Sequence, residues 1–386
     1  SGLYESAREA CSTTTTELTV NGDGFMTKRI VLVIPTMDRG GAEKQLCLLA
    51  ENLPRDQFDV HVLLLTRDGP RSQQLRDADI PVTVIGKRFK ADPSAFFRLR
   101  RELTRLQPQI VHTWLFAANS FGRAAAKAAK VPRIIGSERC VDPWKTAAHF
   151  LIDRKLARYT ETITTNSAGV RDFYVAHGIP QDKFTLIPNG IEPVATSSLA
   201  RDEAFASLGV DPKRKLIMAV GRLWPQKRYR DLIWSAELLG TLREDTTFVI
   251  VGDGPQKGEL LRHRDAVTIP EHVRFCGQRD DVTELLPHAD AFWIGSEYEG
   301  QSNSVIEAMQ AAVPVIASNI PGNRDLVIDQ QTGRLVKLGD TADFARQTNE
   351  ILENEAESKR LGSNARDRIA SEFTVAQMVQ KHAELY

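Results

Sequence analysis

The stretch Asp290–Ser318, DAFWIGSEYEGQSNSVIEAMQAAVPVIAS, decides how this chain is read. It opens on Ala291-Phe292-Trp293-Ile294, an apolar run of strand length and composition. A loop of glycines, carboxylates and small polar residues follows, from Gly295 to Asn303. Val305-Ile306-Glu307-Ala308-Met309 then opens a helix, and Val313-Pro314-Val315-Ile316-Ala317 reads as the next strand. This is one βαβ unit. Its loop falls at the carboxyl end of a parallel strand, where open α/β sheets bind ligands.

The loop carries Glu297 and Glu299, with Glu307 inside the helix. An ionised carboxylate only accepts hydrogen bonds, so it suits hydroxyls and repels phosphates. The helix start near Ser304 does the reverse, because its free N–H groups and dipole attract anions. A sugar joined to a phosphate needs both. A structural reading stands beside this one: Ser304-Val305-Ile306-Glu307 also fits a capping box, in which Glu307 only satisfies the backbone of Ser304. The wording Glu299-Gly300, Glu307-Ala308-Met309 and Pro314-Val315-Ile316-Ala317-Ser318 resembles the Glu-x7-Glu signature of retaining, nucleotide-sugar-dependent glycosyltransferases of family 4.

Composition sets the bounds. At 386 residues the chain exceeds the size at which one core stops growing, so two domains are expected. Lys plus Arg equals Asp plus Glu at 50 each, so no net field draws it to nucleic acid. Cys11, Cys47, Cys140 and Cys276 lack metal-ligand spacing, and reduced thiols in the cytoplasm are expected. No apolar run approaches the ~20 residues of a membrane span. Residues 1–27 show no periodicity and no apolar signal-peptide core, and are expected to form a weakly ordered leader.

In the N-terminal half, Ile30–Ile34 is an apolar strand ending at Pro35. The turn Thr36–Gly41 leads into an amphipathic helix from Ala42. Gly40 and Gly41 would let backbone N–H groups approach an anion, or simply make a turn. They resemble the family's Gly-Gly-Ala-Glu loop, which implies a place over the donor diphosphate. Strand patterns recur at Val60–Leu65, Val82–Ile85 and Ile110–Trp114. His112 is read as closing the last of these, with Leu115–Ser120 as the following loop; from the residues alone a lone strand-end histidine is as readily structural. The resemblance implies a His112 facing donor sugar or acceptor, although Trp114 and Ala117 stand where many relatives carry further histidines. Arg133–Arg139 ends in polar residues suited to a cleft, and Thr162–Ser167 precedes a helix with Ser167 as N-cap. Phe184–Ile191 ends in the turn Asn189-Gly190, and the domain boundary is expected within Glu192–Ala200.

In the C-terminal half, Lys215–Arg222 is a buried strand running into a basic loop that reaches Lys227. A planar guanidinium and a movable ammonium suit a diphosphate leaving group, and the arrangement resembles the family's phosphate clamp. Gly252-x-Gly254-x3-Gly258 misses the dinucleotide fingerprint in spacing and position, which argues against nicotinamide chemistry. Val273–Gly277 with Gln278-Arg279 is read as edging a nucleobase pocket, as in the relatives. Helices are expected over Thr341–Asn354, Glu357–Phe373 and Val375–Tyr386.

The resemblance spans residues 28–386. It implies an α/β protein of GT-B architecture, two Rossmann-like parallel-sheet domains facing across a cleft. An acceptor-binding domain would occupy 28–195 and a nucleotide-sugar domain 196–373, with the helix 374–386 packing back on the first. Expected catalytic groups are Glu299, Arg222, Lys227 and His112. Expected donor contacts are Gly40, Gly41, Gly252, Arg279, Gln301, Ser302, Asn303, Ser304 and Glu307. No metal and no cofactor are expected, since the one Asp-x-Asp, Asp77-Ala78-Asp79, precedes a first-domain strand. The implied reaction moves a hexose or N-acetylhexosamine from a UDP-sugar to a saccharide or lipid-linked acceptor hydroxyl, with retention. It would serve polysaccharide, lipopolysaccharide or glycolipid synthesis. A nucleotide-sugar epimerase and a silent sugar-nucleotide sensor are the alternatives. Gly86–Leu106, with Lys87, Arg88, Lys90, Arg98, Arg100, Arg101 and Arg105 among phenylalanines and leucines, reads either as a solvated helix whose Phe96, Leu99, Leu103 and Leu106 pack on the first-domain sheet or as a surface that touches an anionic membrane at its cytoplasmic face.

Overall fold

The computed structural model describes residues 27–193 and 197–386. The leader at 1–26 and the boundary expected at 195–196 lie outside the described residues. Seven strands form the first sheet: β1 Lys28–Ile34, β2 Phe58–Leu64, β3 Val82–Val84, β4 Ile110–Trp114, β5 Arg133–Glu138, β6 Thr162–Thr165 and β7 Phe184–Leu186. All pairs are parallel, in the order β3-β2-β1-β4-β5-β6-β7. Six strands form the second: β8 Lys215–Val220, β9 Thr246–Val251, β10 Val273–Gly277, β11 Ala291–Ile294, β12 Val315–Ser318 and β13 Arg334–Val336. Their order is β10-β9-β8-β11-β12-β13, again all parallel.

The strands are continuous apolar runs because helices cover both faces of each sheet. Ile30 to Ile34 of β1 and Leu216 to Ala219 of β8 are accordingly buried. Each sheet reverses its strand order once, between β1 and β4 in the first and between β8 and β11 in the second. Such reversals open the crevice in which doubly wound sheets hold ligands. The loops after β8 and β11 therefore meet at one crevice, and they carry Arg222, Lys227 and Glu299.

The C-terminal helix Val375–Leu385 returns to the first sheet. Its start is fixed by Thr374, whose hydroxyl accepts from the Gln377 backbone N–H at 3.2 Å. Val375, Met378, Val379 and Tyr386 join the core around Ile30, Leu32 and Ile34. Where the chain crosses between the sheets, Ile191 bonds Phe373 O at 2.8 Å, and Val375 bonds Ile191 O at 3.3 Å.

Two local expectations need correction. Leu115–Ser120 is not a loop, because a helix runs over Leu115–Ala128 directly from β4. Leu115 turns the chain in one left-handed residue (φ 68°), and the alanine-rich segment beyond it favours helix. The capping-box reading of Ser304 also fails. Helix Asn303–Gln310 starts two residues earlier, with Ser302 as its N-cap.

Candidate active site

The loop after β8 is shaped by glycines of the neighbouring strand. Gly252 sits at φ 145°, and a Cβ there would fall 2.0 Å from Gly221 O. At Gly254 a Cβ would fall 2.6 Å from Leu223 O. Only bare backbone lets the end of β9 lie this close beneath the loop. Gly252 is thus a packing residue that shapes the loop. The loop then tightens into a short turn, Pro225–Lys227, and delivers its lysine to the second loop.

There Lys227 forms an ion pair with Glu299, and both side chains are mostly buried. Ser296 Oγ donates to the same carboxylate at 2.7 Å. Gln226 laces the two loops, its Nε2 donating to Tyr298 O at 2.6 Å while its carbonyl accepts from Glu297 N at 2.9 Å. Gly322 backs this turn. A Cβ at Gly322 would lie 2.0 Å from Gly300 O and 2.7 Å from Glu299 O. Arg222, earlier in the same loop as Lys227, has its guanidinium 5.8 Å from the Trp224 ring centroid.

Helix Asn303–Gln310 points its N-terminus at the first sheet and makes direct contacts there. Glu307 pairs with Lys44 at 2.5 Å, a residue of helix Gly41–Asn52. Asn303 Nδ2 donates to Gly41 O at 3.2 Å, and its Oδ1 accepts from Asn189 Nδ2 at 2.8 Å. Gln301 Oε1 accepts from Asn189 N at 2.8 Å. Ser302 and Ser304 join hydroxyls at 3.0 Å. Gln301, Ser302, Asn303 and Ser304 therefore line one seam between the two sheets, with Gly41 opposite.

Gly40 precedes helix Gly41–Asn52, and a Cβ there would fall 2.0 Å from Glu43 Oε2. The chain's own carboxylate thus stands over the glycine turn where an anion was expected. Burial raises the pKa of Glu43, while its own backbone N–H and the nearby Arg222 oppose that shift.

Two expected residues are already engaged. His112 lies inside β4, wholly buried, with Nδ1 2.6 Å from the Tyr386 hydroxyl and Nε2 3.3 Å from Thr164 Oγ1. Burial, His382 and Arg139 hold its pKa well below the usual histidine value. It is a neutral core residue sealed by the C-terminal helix, not a group open to a ligand. Arg279 is forked onto Asp281 at 2.8 and 2.5 Å and also reaches Ser207, so both edges of its guanidinium are occupied.

Sequence reasoning missed Lys44, Gln45, Asn189 and Gln226. Gln45 is buried and exchanges two 2.8 Å bonds with the Gly190 backbone. Its signal was a polar residue on the apolar stripe of an amphipathic helix. Asn189 passed as turn punctuation, though its side chain meets Gln301 O at 3.1 Å as well as Asn303.

Two parallel-sheet domains meeting at such a crevice define the GT-B class. Residues 39–195 match the model described as Glycosyltransferase Family 4, and residues 200–368 match Glycosyl transferases group 1. The chain belongs to this family, as a group 1 glycosyltransferase of family 4 type, and is a glycosyltransferase. An Escherichia coli UDP-Gal:alpha-D-GlcNAc-diphosphoundecaprenol alpha-1,3-galactosyltransferase is 27% identical over 87% of this chain and 90% of its own length. A Bacillus anthracis N-acetyl-alpha-D-glucosaminyl L-malate synthase is 28% identical over 46% of each chain. The Anabaena protein HepE, solved with UDP and glucose, superposes with a TM-score of 0.83 over 92% of this chain and 98% of its own, at 22% identity.

Proposed function

We propose that this glycosyltransferase takes a UDP-sugar and passes its hexose or N-acetylhexosamine to an acceptor hydroxyl with retained configuration. The observation that carries this reading is the Lys227–Glu299 pair, which joins the loops at the carboxyl ends of β8 and β11, the first of which also carries Arg222. In this reading residues 196–373 hold the donor and residues 28–195 present the acceptor. Arg222 and Lys227 meet charge developing on the departing diphosphate, aided by N–H groups from Gln301 to Ser304. Glu299 addresses hydroxyls of the transferred sugar, and Glu307 accepts from the ribose once Lys44 releases it. Glu299 is held by Lys227, and His112 is sealed, so neither serves as base. The leaving phosphate then takes the acceptor proton on its own face, which gives retention.

The choice of UDP, and of a saccharide or lipid-linked acceptor, rests on the Escherichia coli relative, whose named substrates are of those kinds. Arg222, Lys227 and the helix amides supply the neutralising charge, so transfer needs no divalent ion in this scheme. No helix among the described residues is long and apolar enough to cross a membrane. Contact with an anionic leaflet at the cytoplasmic face instead falls to helix Pro93–Leu106 and the turn before it. There Phe97 is 61% exposed, one helical turn from Arg100 and Arg101, and Phe89 in the preceding turn is 59% exposed.

A thermal-shift series with UDP, UMP, GDP and ADP tests the donor half. Ligand at about 100 times its dissociation constant adds roughly 2.7 kcal/mol, so UDP should raise the melting temperature by several degrees. Stabilisation by another diphosphate but not by UDP contradicts the assignment.

A further inference from the structure

Between the end of β5 and the start of helix Leu115–Ala128 lies a cavity of about 290 Å³. Small-molecule pockets run to ~300–1,000 Å³, so this one holds a single ring rather than a chain. Phe116 and Trp144 make an aromatic wall, edge-on with ring centroids 5.3 Å apart. Glu138, Arg139 and Asp142 make a polar one.

Both walls are braced. Trp144 is 53% exposed, yet its Nε1 donates to Asp142 Oδ1 at 3.1 Å. His149 packs edge-on against Trp144 at 5.4 Å and Phe116 at 5.1 Å. Behind the polar wall, the Tyr174 hydroxyl lies 3.0 Å from Glu138 and 2.9 Å from Asp142. One O–H cannot donate to both. Burial lifts the Glu138 pKa to about 7, against the opposing charge of Lys145, so below neutral pH its carboxyl can carry the second proton. Lys145, buried, bonds Tyr174 at 2.8 Å and Asp153 at 3.0 Å, and Asn119 Nδ2 donates to Glu138 at 3.0 Å. Burying these charges costs desolvation, so they set geometry more than they add stability.

The cavity adjoins the transfer loop. A Cβ at Gly300 would fall 2.1 Å from Arg139 O, so the loop bearing Glu299 lies directly on the cavity's edge. Cys140, a lining residue, has its sulfur 3.9 Å from Gln226 Nε2, the group that holds Tyr298. Arg139 is 7% exposed and leans on Asn189, while its Nη1 finds no partner.

We propose that this cavity is the acceptor subsite and takes one neutral pyranose ring. The C–H face of that ring lies on Trp144 and Phe116, and a hydroxyl meets the Asp142 carboxylate, which Glu138 and Tyr174 brace from behind. The assignment rests on the glycosyltransferase reading and adds the acceptor's chemical class to it. The Asp142 carboxylate disfavours a phosphate or uronate here, since the buried Lys145 is already matched by Asp142 at 3.4 Å and Asp153 at 3.0 Å, and Arg139 turns Nη2 to Asn189. An alkyl chain would leave buried polar atoms without partners, which is costly. The ring's reactive hydroxyl faces Cys140 and the Glu299 loop.

Saturation-transfer NMR on the full chain with UDP present tests this. The probes are the methyl glycosides of glucose, galactose, N-acetylglucosamine and glucuronic acid, with decanol as the apolar control. At least one neutral glycoside should bind, with the glucuronide at least about tenfold weaker. Trp144→Ala should weaken binding about tenfold and Trp144→Phe should largely restore it, as expected for an aromatic platform. UDP affinity, measured on the same samples, reports folding and separates the two readings. Loss of UDP binding by the wild-type protein overturns the glycosyltransferase scheme itself. Normal UDP binding overturns the subsite alone if it comes with no neutral glycoside bound, with preference for glucuronide or decanol, or with indifference to Trp144→Ala.

Discussion

The Lys44 ammonium, on the first sheet's side of the crevice, lies 2.5 Å from the Glu307 carboxylate on the other. Glu307 is the group proposed to accept ribose hydroxyls, so lysine and ribose compete for one carboxylate. The pair is partly exposed and worth about 1 kcal/mol at most. Lys44→Met should therefore tighten UDP binding by up to about fivefold in calorimetry. Weaker binding would instead place Lys44 on the nucleotide.

Gly322 supports the catalytic turn from behind. A side chain there must displace the Glu299 and Gly300 carbonyls, both of them backbone. Overpacking of this kind costs about 1–3 kcal/mol. Gly322→Ala should lower turnover at least tenfold while the protein stays folded by circular dichroism. Unchanged turnover would show that the position of Glu299 is not critical.

His382 predicts a pH effect on stability. It is wholly buried on the C-terminal helix, and burial lowers its pKa from 6.5 to about 3. Unfolded His382 binds a proton that the folded form refuses between these values. Its contribution is full above pH 6.5 and is lost as pH falls towards 3. At pH 5 the loss is about 2 kcal/mol. His382→Gln should lose correspondingly less stability than wild type between pH 7 and pH 5 in urea titrations. Glu138 has the opposite sign, its pKa raised from 4.5 to about 7, and stays in both proteins as a common background. Parallel pH curves for the two proteins would refute the assignment.

Membrane contact is testable with vesicles. Arg98 takes no part, because it bonds the Ile85 and Gly86 carbonyls at 2.8 Å each. Arg100 and Arg101 are exposed beside Phe97. Each cation near an anionic leaflet adds about 1 kcal/mol. Charge reversal at both should release the protein from phosphatidylserine vesicles at low salt. Equal retention of the wild-type protein on neutral vesicles would exclude an electrostatic contact.

The backbone plan was legible because apolar runs such as Ile110–Trp114 and Ala291–Ile294 have strand length and helical patterns between them. Arg222, Lys227 and Glu299 stood out in the sequence because each follows an apolar strand; the pairing of Lys227 with Glu299 depends on the strand order, which no local pattern carries. His112 was misread for a physical reason: a strand-end histidine looks the same whether it meets solvent or a helix more than 250 residues away, and the His112–Tyr386 bond spans 274 positions. Lys44 and Asn189 were missed likewise, since their partners Glu307 and Gln301 belong to the other sheet. Patterning reports what a segment buries, not which distant segment covers it.

The most direct measurement is proton NMR of the product formed from UDP-glucose, UDP-galactose or UDP-N-acetylglucosamine with the neutral glycosides above, in the presence of EDTA. The new anomeric signal should carry the small coupling of an α-linkage, matching the donor. Lys227→Ala should slow its appearance more than about a hundredfold, since one preorganised donor to a developing charge is worth about 3 kcal/mol. A β-linked product, a strict requirement for metal, or free sugar released without acceptor would contradict retaining transfer through the Lys227–Glu299 loop.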